Sequence, residues 1–173
     1  MCIRDRSRTS AREKIARLVG VSASELDRTL SPLEKVFAVV DHTKCLAFIL
    51  AEGVVPSNIQ EGYLARLLFR RAYRMLKMLG IPNKLLDIVK LQIEFWSKDY
   101  PHLKEMQDEI LEMLHVENEK FEQTLRKGEN LVKRIVAKLK SRKAPSIPTE
   151  TLTELYDSHG IPPEIVKENV EKE

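Results

Sequence analysis

Apolar residues recur at intervals of three and four along most of this chain, and residues that start or stop helices separate the stretches that carry them. Such spacing places side chains on one face of a helix, whereas a strand requires alternation at every second residue. No alternating stretch is long enough to predict a strand. The sequence therefore predicts an all-α fold, a helical bundle with one long helix and a smaller C-terminal helical lobe.

Capping residues divide the N-terminal part of the chain into predicted helices. A short helix is predicted over Ala11–Leu18, and Ser22 is placed to cap a second short segment. Ser31-Pro32 predicts the start of a longer helix, because proline favours the first helical position behind a serine cap. This helix is expected to be buried and to end at Gly53. Its apolar positions are Leu33, Val36, Phe37, Val40, Ala47 and Leu50.

Two further helices follow. Pro56 lies in a tight loop, after which Asn58 is predicted to cap a helix that ends at Gly80. The same pattern repeats from Asn83 to about Lys98. These helices complete the predicted bundle.

A narrow apolar stripe then runs through a charged stretch, which predicts one long helix over Pro101–Lys140. Such a helix would span about 60 Å, and Gly128 could kink it. We interpret the stripe as packing against the preceding helices. The alternative is a scaffold protein whose long helix recruits a partner helix.

The predicted domain organisation has three parts. Residues 1–10 are polar and unlike the rest, and we interpret them as a non-native, adapter-derived segment. Residues 11–143 form the first lobe, and the stretch Ser141–Pro148 is a linker. Residues 149–173 form a second, smaller and partial lobe, with a short helix that ends at Gly160 and an acidic helix that opens at Pro162-Pro163.

Composition excludes several classes of protein. The net charge of +3 permits a nucleic-acid partner without requiring one. Cys2 and Cys45 lie far apart without a histidine cluster, so we expect neither a disulfide framework nor a metal site. No apolar run reaches the length of about 18 to 20 residues that a membrane helix needs. We expect a cytoplasmic protein.

Catalytic motifs are absent from the sequence. The four histidines are scattered, and no pattern unites them with metal ligands or phosphate-binding glycines. Asp41-His42 could act as acid and base in a small helical enzyme, which stays an open alternative. We interpret these two as a buried, mutually satisfied pair and Cys45 as a small core residue. No catalytic residue is assigned.

Basic residues give a clearer signal on the helix that follows Asn58. Arg66, Arg70 and Arg74 are spaced by four residues, with Arg71 and Lys77 beside them, so they project as one row. Guanidinium groups in a row can bind a phosphate backbone. The amide of Asn58, at the start of that helix, could read the edge of a base.

Two blocks of sequence carry a family resemblance. The run DHTKCLAFILAEGVVPSN over residues 41–58, followed by the sequence GYLAR and by Arg70-Arg71, resembles the middle region of alanyl-tRNA synthetases. A second block, ELYDSHGIP over residues 154–162, resembles a later segment of that family in its archaeal form. The resemblance covers about residues 30–170. Glu52 stands where the family usually has aspartate, and Ala65-Arg66 replaces a double arginine.

The resemblance implies a function. In this family a G·U wobble pair in the tRNA acceptor stem is read by an asparagine and an aspartate, which match Asn58 and Asp157. Arg70 is then the first candidate for a phosphate contact, followed by Arg66, Arg71 and Arg74. The chain would be a tRNA-recognition module that has no cofactor of its own and is inactive alone. The catalytic and editing domains, with ATP and Mg, belong to the parent protein.

Overall fold

A computed structural model of the chain describes residues 3–141, 147–159 and 166, with side chains described for residues 10–137, 147–153, 155 and 166. The regular structure of these ranges is entirely helical, which confirms the all-α prediction. The helices are α1 (Ile3–Val19), α2 (Ala23–Ala51), α3 (Gln60–Met78), α4 (Leu85–Trp96), α5 (His102–Glu105), α6 (Gln107–Ser141) and α7 (Thr149–His159), with one 3₁₀ turn over Pro82–Lys84.

The chain divides into two compact units, Met1–Leu114 and His115–Glu173. The predicted lobes, 11–143 and 149–173, meet at a linker of which residues 142–146 lie outside the described residues. That division therefore stays a prediction. The interpretation of residues 1–10 as a non-native segment also remains a prediction, although the backbone is already helical from Ile3.

Helix α2 starts at a complete capping box. The Ser22 hydroxyl accepts a hydrogen bond from the Glu25 backbone N–H at 3.2 Å, and the Glu25 carboxylate accepts one from the Ser22 N–H at 3.0 Å. The cap predicted at Ser22 is thus confirmed. The new helix predicted at Ser31-Pro32 is wrong, because Pro32 lies inside α2.

Cooperativity explains why α2 continues through its proline. Pro32 removes one backbone hydrogen bond, whereas ending the helix and starting another would require a second costly nucleation. Lys35 also stabilises this turn, since its ammonium group donates to the carbonyl and the hydroxyl oxygens of Ser31 at 3.2 and 2.6 Å. The chain therefore forms one uninterrupted helix from Ala23 to Ala51.

Helix α2 is also the centre of the first unit, where it packs against α1, α3, α4 and α5. Its buried residues all lie between Val39 and Leu50. They meet buried residues of α3 and α4, and Phe69 of α3 is the largest side chain among those that are fully buried. The members of this core on the two helices are Ala65, Phe69, Ala72, Tyr73, Leu76, Leu85, Val89 and Ile93.

The first half of α2 differs from its prediction. Leu33, Val36, Phe37 and Val40 are exposed, and Phe37 retains 68% of its accessible surface. The expectation that these four residues are buried is wrong, whereas it is confirmed for Ala47 and Leu50. Periodicity shows which side of a helix is apolar, but neighbouring helices cover only the later part of that side.

The long helix begins later than predicted. The chain forms the short helix α5, breaks at Met106, and then continues as α6 for 35 residues, which is about 52 Å. Apolar side chains of α6 are buried, including Phe121 and Val132, and Gly128 is buried within the helix. Helix α7 begins at Thr149. Gly160 and Pro162-Pro163 lie outside the described residues.

Replacing Pro32 with alanine should stabilise the chain. Proline in a helix interior costs about 3 kcal/mol relative to alanine, and its restriction of the unfolded chain returns up to about 1 kcal/mol. We expect the free energy of unfolding to rise by about 2 kcal/mol, measured from the urea midpoint at constant slope. Thr29→Ala, one turn earlier, should change it by less than about 1 kcal/mol. A midpoint that falls in Pro32→Ala would contradict the continuous helix.

Candidate nucleic-acid interface

The loop between α2 and α3 is closed by Ser57. Gly53 ends α2 with a φ of +79°, and its N–H donates to the Leu50 carbonyl at 3.0 Å. Across the loop, the Ser57 N–H donates to the Gly62 carbonyl at 3.0 Å, and the Ser57 hydroxyl donates to the Ile59 carbonyl at 3.0 Å. These bonds attach the loop to the first turn of α3.

Gly62 permits this close approach. A Cβ atom at this position would lie 2.2 Å from the Ser57 hydroxyl oxygen and 2.4 Å from the Val55 carbonyl oxygen. Both distances are far shorter than real contacts, so any larger residue would push the loop away from the helix. Gly62, the first residue of the GYLAR sequence, therefore determines where the loop lies.

The backbone at the start of α3 adopts a conformation that most residues avoid. Ile59 is extended, and Gln60 then adopts a positive φ of 50°, the one such non-glycine residue in the described part of the chain. This left-handed conformation costs free energy for a residue with a Cβ. Such strain is commonly found next to functional loops.

Asn58 does not cap α3, so that prediction is wrong. The helix begins at Gln60 behind Ile59, and no side chain makes a capping bond there. Instead the Asn58 side chain is exposed, and its Oδ1 accepts a hydrogen bond from the Arg66 guanidinium. The same guanidinium donates to the Pro56 carbonyl at 3.2 Å. Asn58 is thus held by a side chain two turns along the helix.

The predicted row of basic residues lies on one helix, as the spacing required. Arg66, Arg70, Arg74 and Lys77 of α3 are half-exposed, and Arg71 is exposed. The Arg74 side chain donates through Nε to the Arg70 carbonyl at 3.3 Å. The row begins beside Asn58, so the structure brings an exposed amide and a line of guanidinium groups together.

Asp157 belongs to the second unit. Its backbone lies in α7, and its side chain is outside the described residues. The prediction that it acts together with Asn58 therefore stays a prediction.

A family model described as tRNA synthetases class II (A) matches residues 8–173. The chain belongs to this family. An alanine–tRNA ligase of Pyrococcus furiosus is 52% identical over 162 residues, which are 94% of this chain and 18% of the relative. Alanine–tRNA ligases of Pyrococcus abyssi and Methanosphaera stadtmanae are 49% and 45% identical, over 94% and 90% of this chain and 18% and 17% of their own lengths. This class II synthetase segment thus spans less than a fifth of the length of these relatives. The predicted resemblance to alanyl-tRNA synthetases is confirmed for the family as a whole.

The Asp41-His42 pair of this synthetase segment is not the buried pair that the sequence predicted. Asp41 is exposed, because neighbouring residues on a helix point about 100° apart. His42 is half-buried, and its Nε2 atom is buried without a hydrogen-bond partner in the described part of the chain. Cys45 is exposed, so its assignment to the core is also wrong.

The environment of His42 disfavours its protonation. Burial is the main cause of the lowered pKa, and the positive charge of Arg71 adds to it. Asp41 and the Ala38 carbonyl act in the opposite direction with less effect. A neutral imidazole next to the basic row is therefore the favoured state of the folded protein.

Among the residues that the structure describes, no three histidine, cysteine or acidic side chains are grouped to hold a metal ion. Within the same ranges, no helix has the length and apolar character to cross a membrane.

Gly62→Ala should displace the loop that carries Asn58. Overpacking of this kind costs about 1 to 3 kcal/mol in free energy of unfolding, measured by denaturant titration. Gly80→Ala is the matched control, since its φ of +81° also strains an alanine but nothing lies within 4 Å of its Cβ. We expect both variants to be destabilised. Only Gly62→Ala should also alter the amide resonance of Asn58 in an NMR spectrum, and an unaltered resonance would contradict the proposed close approach.

His42 should make stability depend on pH. Its pKa is below 6.5 in the folded chain and near that value when unfolded, so the unfolded chain binds more protons between the two values. The free energy of unfolding should therefore fall as pH decreases through 6.5 and level off below the folded pKa. His42→Gln should remove this decrease, whereas His115→Gln, which replaces an exposed histidine, should retain it. If urea titrations show that His42→Gln retains the decrease and His115→Gln removes it, the pH dependence does not come from His42.

Proposed function

We propose that this chain is the part of an archaeal-type alanine–tRNA ligase that recognises the acceptor stem of its tRNA, by reading a G·U wobble pair. The observation that carries the proposal is the exposed amide of Asn58, held by Arg66 at the start of a row of guanidinium groups on α3. The relatives from Pyrococcus and Methanosphaera support the archaeal type.

The chemistry of a wobble pair suits an amide and a carboxylate. In a G·U pair the exocyclic amino group of guanine lacks its usual partner, and a carboxylate such as that of Asp157 is a pure acceptor that can take it. The amide of Asn58 can donate to a uracil carbonyl. In a G·C pair the guanine amino group has its usual partner and there is no uracil carbonyl, so both contacts would discriminate between the two stems.

Phosphate contacts would supply affinity without sequence preference. Arg70, Arg71 and Arg74 follow Asn58 along α3 and can pair with successive phosphates of one strand. Arg71 is exposed, and the other two are half-exposed. Binding through these residues should weaken with salt equally for every stem.

The chemical step belongs elsewhere in the longer protein. Relatives of this chain are more than five times its length, and the proposal assigns ATP, Mg and the activation of alanine to a catalytic domain outside these residues. The catalytic and editing domains are thus its partners within one polypeptide. This chain alone, incubated with alanine and ATP, should form no alanyl-adenylate.

A scaffold role for the long helix has less support. The apolar side chains of α6 that would meet a partner helix are buried, including Ile110, Leu114 and Leu125. In the described part of that helix, Val116 is the one exposed large apolar residue, and it retains 37% of its accessible surface. The sequence pattern of α6 is therefore satisfied within the chain.

A titration with RNA minihelices tests the proposal. We expect the chain to bind a G·U stem more tightly than a matched G·C stem, and Asn58→Ala or Asp157→Ala to remove about 1 to 3 kcal/mol of that preference. Arg70→Gln should weaken binding to both stems and reduce the salt slope by about 1. Lys90→Gln, which removes an exposed charge from α4, is the control and should change neither quantity. Equal affinity of the unmodified chain for both stems would refute the proposed function.

A further inference from the structure

Arg66 of α3 contacts the loop that precedes its own helix. Its guanidinium donates to two oxygen atoms of the preceding loop, the Oδ1 of Asn58 and the carbonyl of Pro56, which lies 3.2 Å away. Ser57 also attaches this loop to the start of α3, because its N–H donates to the Gly62 carbonyl and its hydroxyl to the Ile59 carbonyl. Arg66 therefore adds a side-chain bridge between α3 and a loop that Ser57 already bonds to the same helix.

The chemistry of guanidinium determines which end of the amide faces it. Arginine carries only donors, so the atom of Asn58 that it meets must be the carbonyl oxygen and not the amide nitrogen. The two N–H groups of the Asn58 side chain then lie at the other end, and the side chain is exposed. The amide thus has one orientation instead of two of equal energy.

We infer that Arg66 is a positioning residue that orients the Asn58 amide so that its N–H donors face the ligand, which must present a hydrogen-bond acceptor. The inference rests on the proposed function and deepens it. It assigns Asn58 to a base carbonyl and excludes an exocyclic amino group as its partner. It also separates Arg66 from the phosphate contacts with which its spacing had grouped it.

The role requires arginine itself. A guanidinium is a planar fork that can donate to two separate acceptors at once, whereas the lysine ammonium is a compact charge on a flexible stem. Arg66→Lys therefore keeps the positive charge on α3 but loses the fixed bridge between Pro56 and Asn58. A phosphate contact would tolerate this change far better than a positioning role.

Two variants test the inference in the minihelix titration. Arg66→Lys should lower the ratio of G·U to G·C affinity by about 5-fold or more, while the affinity for the G·C stem and the salt slope stay as in the unmodified chain. Asn58→Asp should also lose the ratio, because aspartate still accepts from Arg66 but has no N–H to donate. Its added negative charge weakens both stems alike, so the ratio is the quantity to compare.

The outcomes separate the two proposals. An unmodified chain that does not distinguish the stems overturns the proposed function and this inference with it. If the unmodified chain discriminates and Arg66→Lys discriminates equally well, Arg66 does not position Asn58 and only the inference fails. A reduced salt slope in Arg66→Lys would identify a phosphate contact and overturn the inference too. Should Arg66→Lys fail to fold, Asn58→Asp decides alone, because it retains the bridge, and a retained preference in that variant overturns the inference.

Discussion

The contact between Ser57 and Gly62 is the constraint on which the candidate site depends. It needs a residue without a Cβ on α3, and it brings the loop after Gly53 close enough to share hydrogen bonds with the first helical turn. Asn58 then projects from a fixed backbone, within reach of the Arg66 guanidinium. Without that approach, the loop would lose its hydrogen bonds to the first turn of α3, and the Asn58 amide would have no fixed position beside the basic row.

Helix α3 supports the fold and the site with different residues. Ala65, Phe69 and Ala72 are buried in the first unit, where α3 packs against α2. The basic residues from Arg66 to Lys77 are not buried, since Arg71 is exposed and the others are half-exposed. Because burial of the apolar residues fixes the rotation of the helix about its axis, the direction of the basic row is set by the core. The orientation of the basic row at the surface thus depends on the packing of α3 in the core.

Local signals predicted the helices well, and tertiary effects explain the failures. The cap at Ser22 and the helix ends near Gly53 and Gly80 depend on a few neighbouring residues, so the sequence was sufficient for them. Pro32 does not start a helix, because its local preference for a helix start competes with the cooperativity of a helix already capped at Ser22. Asparagine is a common helix-capping residue, but the partner of Asn58 is Arg66, eight residues away. Rules for helix capping consider only nearer neighbours and do not predict this contact. The spacing that placed Arg66 in the basic row was correct, and it could not show that the guanidinium turns toward the loop. The family followed from ordered blocks of sequence rather than from any of these rules.

The orientation of one side-chain amide is the central claim, and NMR of the Asn58 side-chain NH₂ group tests it most directly. In the unmodified chain, the two amide protons should shift and exchange more slowly with solvent when a G·U minihelix is added, because they donate to the base. A G·C minihelix at the same occupancy should leave both effects much smaller. Equal responses to the two stems, or no response of the NH₂ group to either, would contradict the account.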